Sequence, residues 1–146
     1  MRELLFRGFH PCDCPDTIVM DGEKVKGKWV EGSLLTYKDG TTFVCCEDYI
    51  PDVLNKYEVL LSTVGQSTGL TDRTGKRIFE GDILKTNKYG KDDGKGHNFA
   101  GPDAFCVAFE DGGYCLRNEW RRFNLRPDID AEVIGTIFDE EAQHDN

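Results

Sequence analysis

Apolar residues along this chain come in short runs broken by Gly, Pro, Asn and Asp. No run keeps a 3.6-residue period for the length of an ordinary helix. The pattern predicts strands. Glu3–Arg7 forms a first apolar run ending at Gly8, followed by an irregular piece, Phe9–Asp16, where Pro11 and Pro15 disfavour regular pairing. Thr17–Met20 and Glu23–Lys26 flank Asp21-Gly22, a strong signal for a type I′ hairpin. Trp29–Tyr37 and Thr41–Cys46 make a second hairpin around Lys38-Asp39-Gly40. Residues 47–56 read as a loop or a short helix interrupted at Pro51, and Tyr57–Val64 as a strand. Further on, Asp82–Thr86 opens a new sheet, and the polar stretch from Lys88 to Pro102 reads as a mobile surface loop. Ala104–Phe109 and Tyr114–Arg117 form a third hairpin, Glu119–Leu125 is short and amphipathic, and Ala131–Phe138 is the last strand before an acidic tail.

Between these halves lies Val64–Leu84, which carries Gly65, Gly69, Gly75 and Gly81. Glycine takes the positive φ that tight turns need, so residues 65–81 read as a connector whose turns those glycines and Asp82 fix. Ile78 and Phe79 would anchor it in a core. The resulting division is a β-rich (α+β) N-terminal subdomain over 1–64, the connector over 65–81, a barrel over 82–138 and a tail over 139–146. The fold class is mostly β. The C-terminal part has about five short strands, the number and length of an SH3-like β-barrel.

Composition narrows the function. The chain has 146 residues, with 27 Asp and Glu against 18 Lys and Arg, a net charge of −9. Phosphate backbones are bound by cations that displace counterions, so general nucleic-acid binding is disfavoured. An aromatic share of 11% sets the chain apart from disordered polar sequences. No apolar run approaches the ~20 residues that span a bilayer, and the first residues lack a signal-peptide core. A cytoplasmic location follows as the expectation, with the six cysteines reduced there.

The run from Val64 to Leu84 resembles the signature of the YopX family of phage and prophage proteins. Met1–Gly8, Trp29-Val30-Glu31-Gly32, Phe109–Tyr114 and Glu132–Phe138 are similar to that family as well, in order and at compatible spacing. The Cys-bearing piece Phe9–Lys28 and the loop 88–102 depart from it. The resemblance implies an SH3-type barrel with an added N-terminal part, a phage or prophage origin and no established activity. It supplies no catalytic residues.

Candidate chemistry is sparse. Glu80 and Asp82 flank Gly81 and could share a proton or a divalent cation, but Asp beside Gly is ordinary turn chemistry. Asp72 with Thr71 reads the same way. His10, Cys12, Cys14, Cys45 and Cys46 form the one metal-like set, and their spacing is poor for a tetrahedral zinc site. Cys106 and Cys115 fall across the third hairpin and read as packed thiols. His97 and His144 lie in polar segments, and neither a Gly-x-Ser-x-Gly nor a Walker pattern is present. No cofactor and no metal are expected. Lys76 and the group Trp120, Arg121 and Arg122 are the compact basic spots, the latter with an aromatic that could stack on a base.

The expected function is therefore non-enzymatic: a module that binds another protein or itself through strand edges, with no membrane partner. Nucleic-acid binding through Trp120, Arg121, Arg122 and Lys76 is the alternative and is not favoured.

Overall fold

The computed structural model describes residues 4–47, 54–86, 104–119, 121–127 and 129–139. Trp120, the loop 88–102 and the tail beyond Asp139 lie outside the described residues, as does most of the segment around Pro51. The strands are β1 (Phe6–Met20), β2 (Glu23–Thr36), β3 (Thr42–Glu47), β4 (Leu54–Glu58), β5 (Gly65–Thr71), β6 (Arg77–Phe79), β7 (Asp82–Thr86), β8 (Ala104–Glu110), β9 (Gly113–Arg117), β10 (Arg122–Asn124) and β11 (Ala131–Thr136). A 3₁₀ turn spans Leu61–Thr63, and no α-helix occurs among the described residues. The protein is mostly β, with pairings that are antiparallel wherever a register is resolved. One sheet has the order β4-β3-β2-β1-β5-β6 and the other β10-β9-β8-β7-β11. The second is an open sheet, in which β10 and β11 are the two edges rather than neighbours.

The chain divides into two compact units, Met1–Ser67 with Phe138–Asn146, and Thr68–Ile137. The first is organised by one long hairpin. Where a strand ending at Gly8 and an irregular piece were expected, β1 runs on through both prolines and pairs with β2 from Phe6↔Gly32 to Met20↔Glu23. Proline is tolerated because the ladder is interrupted between Pro11 and Asp16, and a bulge has no place for a donor there. The Asp21-Gly22 turn has φ of 53° and 80°, the two positive values of a type I′ turn. The two expected strands 23–26 and 29–37 are a single β2. Val30, Val44 and Val59 form the core of this unit, with Leu34, Tyr57 and Val64 against them. Phe9 is also fully buried, edge-on to Trp29 with ring centroids 5.2 Å apart. The expected strand 57–64 ends at Glu58, because Thr63 folds back to donate its hydroxyl to Leu60 O and receives Phe9 N–H.

In the second unit Ile78, Leu84, Phe105, Val107, Leu116, Ile129 and Ala131 form the core, with Leu70, Phe123 and Val133 packed on it. The stretch 65–81, read as a connector, is itself a hairpin of β5 and β6. Gly65 is a strand residue paired with Arg7, not a turn, because β5 starts there and its first residues add to β1. Gly69, Gly75 and Gly81 do have positive φ, at 83°, 91° and 92°.

Candidate functional site

The β5–β6 loop is built around Asp72. Its Oδ1 accepts from Thr74 N (2.8 Å), Thr74 Oγ1 (2.7 Å) and Lys76 N (2.9 Å), and its Oδ2 from Val133 N in β11 (2.9 Å). Burial alone would raise this carboxyl, but the hydrogen bonds from Val133, Thr74 and Lys76 outweigh it and hold the pKa at about 2. Arg73 continues the clamp, with its N–H on Ala131 O (2.9 Å) and its guanidinium on Glu132 (3.0 Å) and Asp130 (3.8 Å). Asp72 therefore ties the hairpin tip to β11, and Lys76 belongs to that loop through its backbone.

Asp82 is fully buried at the start of β7, where its Oδ2 accepts Phe79 N–H at 2.8 Å across the Glu80-Gly81 turn. Ile78 and Phe79 are likewise buried. Glu80 lies half-buried beside them. Among the described residues, no group of three or more His, Cys, Asp or Glu side chains is arranged to hold a metal ion.

Of the expected basic residues, Arg121 and Arg122 do not share one set of contacts. Asn118 closes the turn into β10, its N–H on Arg121 O and its Oδ1 accepting Arg121 N–H. Arg121 immediately precedes β10 and Arg122 opens it, and their side chains part. Arg121 lies over the Phe123 ring, 4.5 Å from its centroid. Arg122 joins a cluster at the head of the β8–β9 hairpin, its Nε 3.2 Å from Glu110 Oε1 and one terminal nitrogen 3.5 Å from Asp111. Arg117 takes the other Glu110 oxygen at 2.9 Å. Cys115 Sγ donates to Glu110 Oε1 at 3.4 Å. This hydrogen bond first, and those from the arginines after it, hold the Glu110 carboxyl below its usual range. Burial, then the Glu110 carboxylate, push the Cys115 thiol up, and burial raises Cys106. Neither thiol is primed as a nucleophile, since reactivity belongs to the thiolate. The two are not opposite each other: Cys106 pairs with Arg117, and Cys115 with Ala108.

Of the metal-like set, His10 Nδ1 meets Glu58 O at 2.7 Å and its ring lies edge-on to Tyr57. Cys45 and Cys46 are half-buried thiols, adjacent in β3. Cys12 and Cys14, expected as reduced thiols, are joined in a disulfide, because the bulge folds their Cα atoms to 5.4 Å.

One surface was missed by the sequence reading. In antiparallel strands, directly paired residues share a face. Leu35, Phe43 and Glu58 thus share the outer face of the β2–β3–β4 end with Cys45 and Lys56, opposite to Val44 and Tyr57. Leu35 is 40% exposed, Tyr37 46% and Leu54 66%. Lys56 Nζ sits 4.5 Å from the Phe43 centroid and donates to Tyr37 OH at 3.2 Å. Its signal was present in Phe43-Val44, two adjacent large apolar residues in one strand, which put apolar surface on both faces.

Comparison with known proteins places the whole. The family model described as YopX protein matches residues 19–142. The chain belongs to the YopX family. Among solved structures, this YopX-family chain is similar to protein EF1440 from Enterococcus faecalis, at 19% identity and a TM-score of 0.48, over 98% of this chain and 99% of that one. No curated protein matches it. No helix is long and apolar enough to cross a membrane among the described residues.

Proposed function

We propose that this YopX-family chain is a non-enzymatic interaction module of phage or prophage origin, acting in the bacterial cytoplasm, that binds an extended segment of another protein along β4. The observation that carries this reading is the outer face of β2–β3–β4. β4 ends its sheet's strand order, and Leu35, Tyr37, Phe43 and Leu54 stand exposed or half-buried beside it around Lys56. A strand at the end of a sheet can take an added strand, with side-chain recognition on the adjacent face. A second copy is the poorer occupant, because chains at a net charge of −9 repel one another. The five short strands β7–β11 fit an SH3-like reading of the second unit, which serves as the module's scaffold. Against the nucleic-acid alternative stand the carboxylates that already hold Arg122.

The test is affinity capture from host lysate with the wild type, Leu54→Asp and, as a control on another edge, Ile134→Asp. A stoichiometric protein retained by wild type and the control, lost with Leu54→Asp and crosslinked to β4, supports the reading. A partner indifferent to Leu54, or binding only of salt-sensitive nucleic acid, overturns it.

A further inference from the structure

The β1–β2 ladder is continuous from Phe6↔Gly32 to Pro11↔Gly27, and again from Asp16↔Gly27 to Met20↔Glu23. Gly27 is therefore the partner of both Pro11 and Asp16, and Cys12-Asp13-Cys14-Pro15 is additional chain with no place in the ladder. A Cβ at Gly27 would collide with the His10 carbonyl oxygen and the Phe9 ring, so a glycine is what lets the two ladder segments close beneath this bulge. Within the bulge, Cys12 and Cys14 are half-buried and bonded to each other, while the Asp13 side chain between them is fully exposed, with Lys26 Nζ 3.7 Å away. The other four cysteines are thiols. The bulge also precedes residue 19, where the YopX match begins.

We propose that the Cys12–Cys14 bridge is a thiol–disulfide exchange site whose substrate is a thiol. A staple would be placed differently. Cross-linking stabilises more as the closed loop lengthens, and here a single residue is enclosed while the ladder is complete on both sides. In a reducing compartment, disulfides that occur serve exchange or sensing rather than structure. A substrate thiolate attacks one bridge sulfur, the S–S bond breaks, and the second cysteine leaves as thiolate, giving a mixed disulfide. A second substrate thiolate then attacks the substrate sulfur of that mixed disulfide and releases the first cysteine. Two substrate thiols are oxidised to one disulfide, the bridge takes two electrons, and the two protons end on Cys12 and Cys14. His10 remains anchored to Glu58 throughout, so the exchange is confined to the bulge. This inference rests on the cytoplasmic setting proposed above and is independent of the partner on β4.

The test uses the full folded chain, purified without reductant and then incubated with reduced glutathione or with a thioredoxin-type protein dithiol. Differential alkylation and mass spectrometry read each cysteine, and far-UV circular dichroism reads the fold. The expected result is unlabelled Cys12 and Cys14 before reduction, then labelling roughly ten-fold or more faster than buried Cys115, with the spectrum unchanged. A Cys14→Ser variant, given oxidised glutathione so that the exchange runs in reverse, should hold a stable mixed disulfide on Cys12 with reduced glutathione as the leaving thiol, and Cys45→Ser should behave as wild type. Reduction by glutathione assigns a small thiol as substrate, and reduction by the protein dithiol alone assigns a protein. Free Cys12 and Cys14 at the start, or a bridge that neither reagent opens until denaturant is added, overturns the proposal.

Discussion

Lys28 and Lys56 in the first compact unit and Arg73, Arg117 and Arg122 in the second are held in opposite ways. In the first, Lys28 lies over Tyr57 at 4.3 Å and Lys56 over Phe43 at 4.5 Å, while Arg7, over Trp29 at 4.8 Å, is buried. In the second, Arg73 meets Asp130 and Glu132, and Arg117 and Arg122 meet Glu110. A cation on a ring keeps its full charge and loses little hydration, so it remains open to an anionic group. One held between carboxylates is locally neutralised. Compactness of basic residues in sequence thus says little about which of them a partner can reach: Arg121-Arg122 stands out by eye, yet Lys56 has the more open surroundings.

That contrast is broken hardest at Asp72. Asp72→Ala leaves the Val133, Thr74 and Lys76 N–H groups without their acceptor, and unfolding free energy should fall by about 2–4 kcal/mol at neutral pH, since several donors lose their bond together. Chemical denaturation reads this directly, and a loss below that of an ordinary surface substitution would sink the clamp. The carboxyl's pH dependence follows. Its folded pKa of about 2 lies below the ordinary carboxyl value of 3.8. Its stabilisation is therefore complete above about pH 4 and is lost as pH falls through about 2. The loss is at most about 2 kcal/mol, less whatever solvent screening near the turn removes. Asp72→Asn should flatten that acid limb. The cation–ring contacts of the first unit contain no group titrating there, so Lys56→Met should leave the limb intact.

Much of this was legible in the chain because it depends on local chemistry. The Asp21-Gly22 and Asp111-Gly112 turns, both with two positive φ values, follow from residues whose neighbours hardly matter. Asp82 is similar, since its bond to Phe79 N spans three residues. What escaped the reading depends on partners far along the chain. Asp72 reaches Val133, 61 residues away, so its turn chemistry was visible and its hold on β11 was not. Pro11 and Pro15 suggested disorder of the ladder, whereas the glycine that accommodates them is Gly27 on the other strand. Arg122 read as available because Glu110 and Asp111 precede it by 12 and 11 residues, a separation only the hairpin closes.

A gentler change sharpens the ring side of the comparison. Lys56→Met keeps the aliphatic stem against Phe43 and Tyr37 and removes only the charge. Stability should fall by about 0.5–1 kcal/mol, the scale of an exposed cation–ring contact, and the difference from wild type should shrink as salt is added. If the variant is more stable than wild type at every ionic strength, Lys56 is there for a partner and contributes nothing to the fold.

The smallest effect is the most specific, because it reads one carboxyl. Glu110 is held below the usual carboxylate range by the Cys115 thiol first and by Arg122 after it. Both groups donate to the same oxygen, Oε1. Cys115→Ala should therefore raise the Glu110 pKa at least as far as Arg122→Gln does, and the double variant should raise it further, because each donor stabilises the ionised form. Carboxyl carbon shifts followed by NMR through the acid range measure this without needing a stability change. Should Arg122→Gln alone return Glu110 to an ordinary value while Cys115→Ala leaves it depressed, the cluster is an ion pair with a bystander thiol. In that case Arg122 would be the cation that a modest competing anion could draw away, and the nucleic-acid alternative would regain its strongest residue.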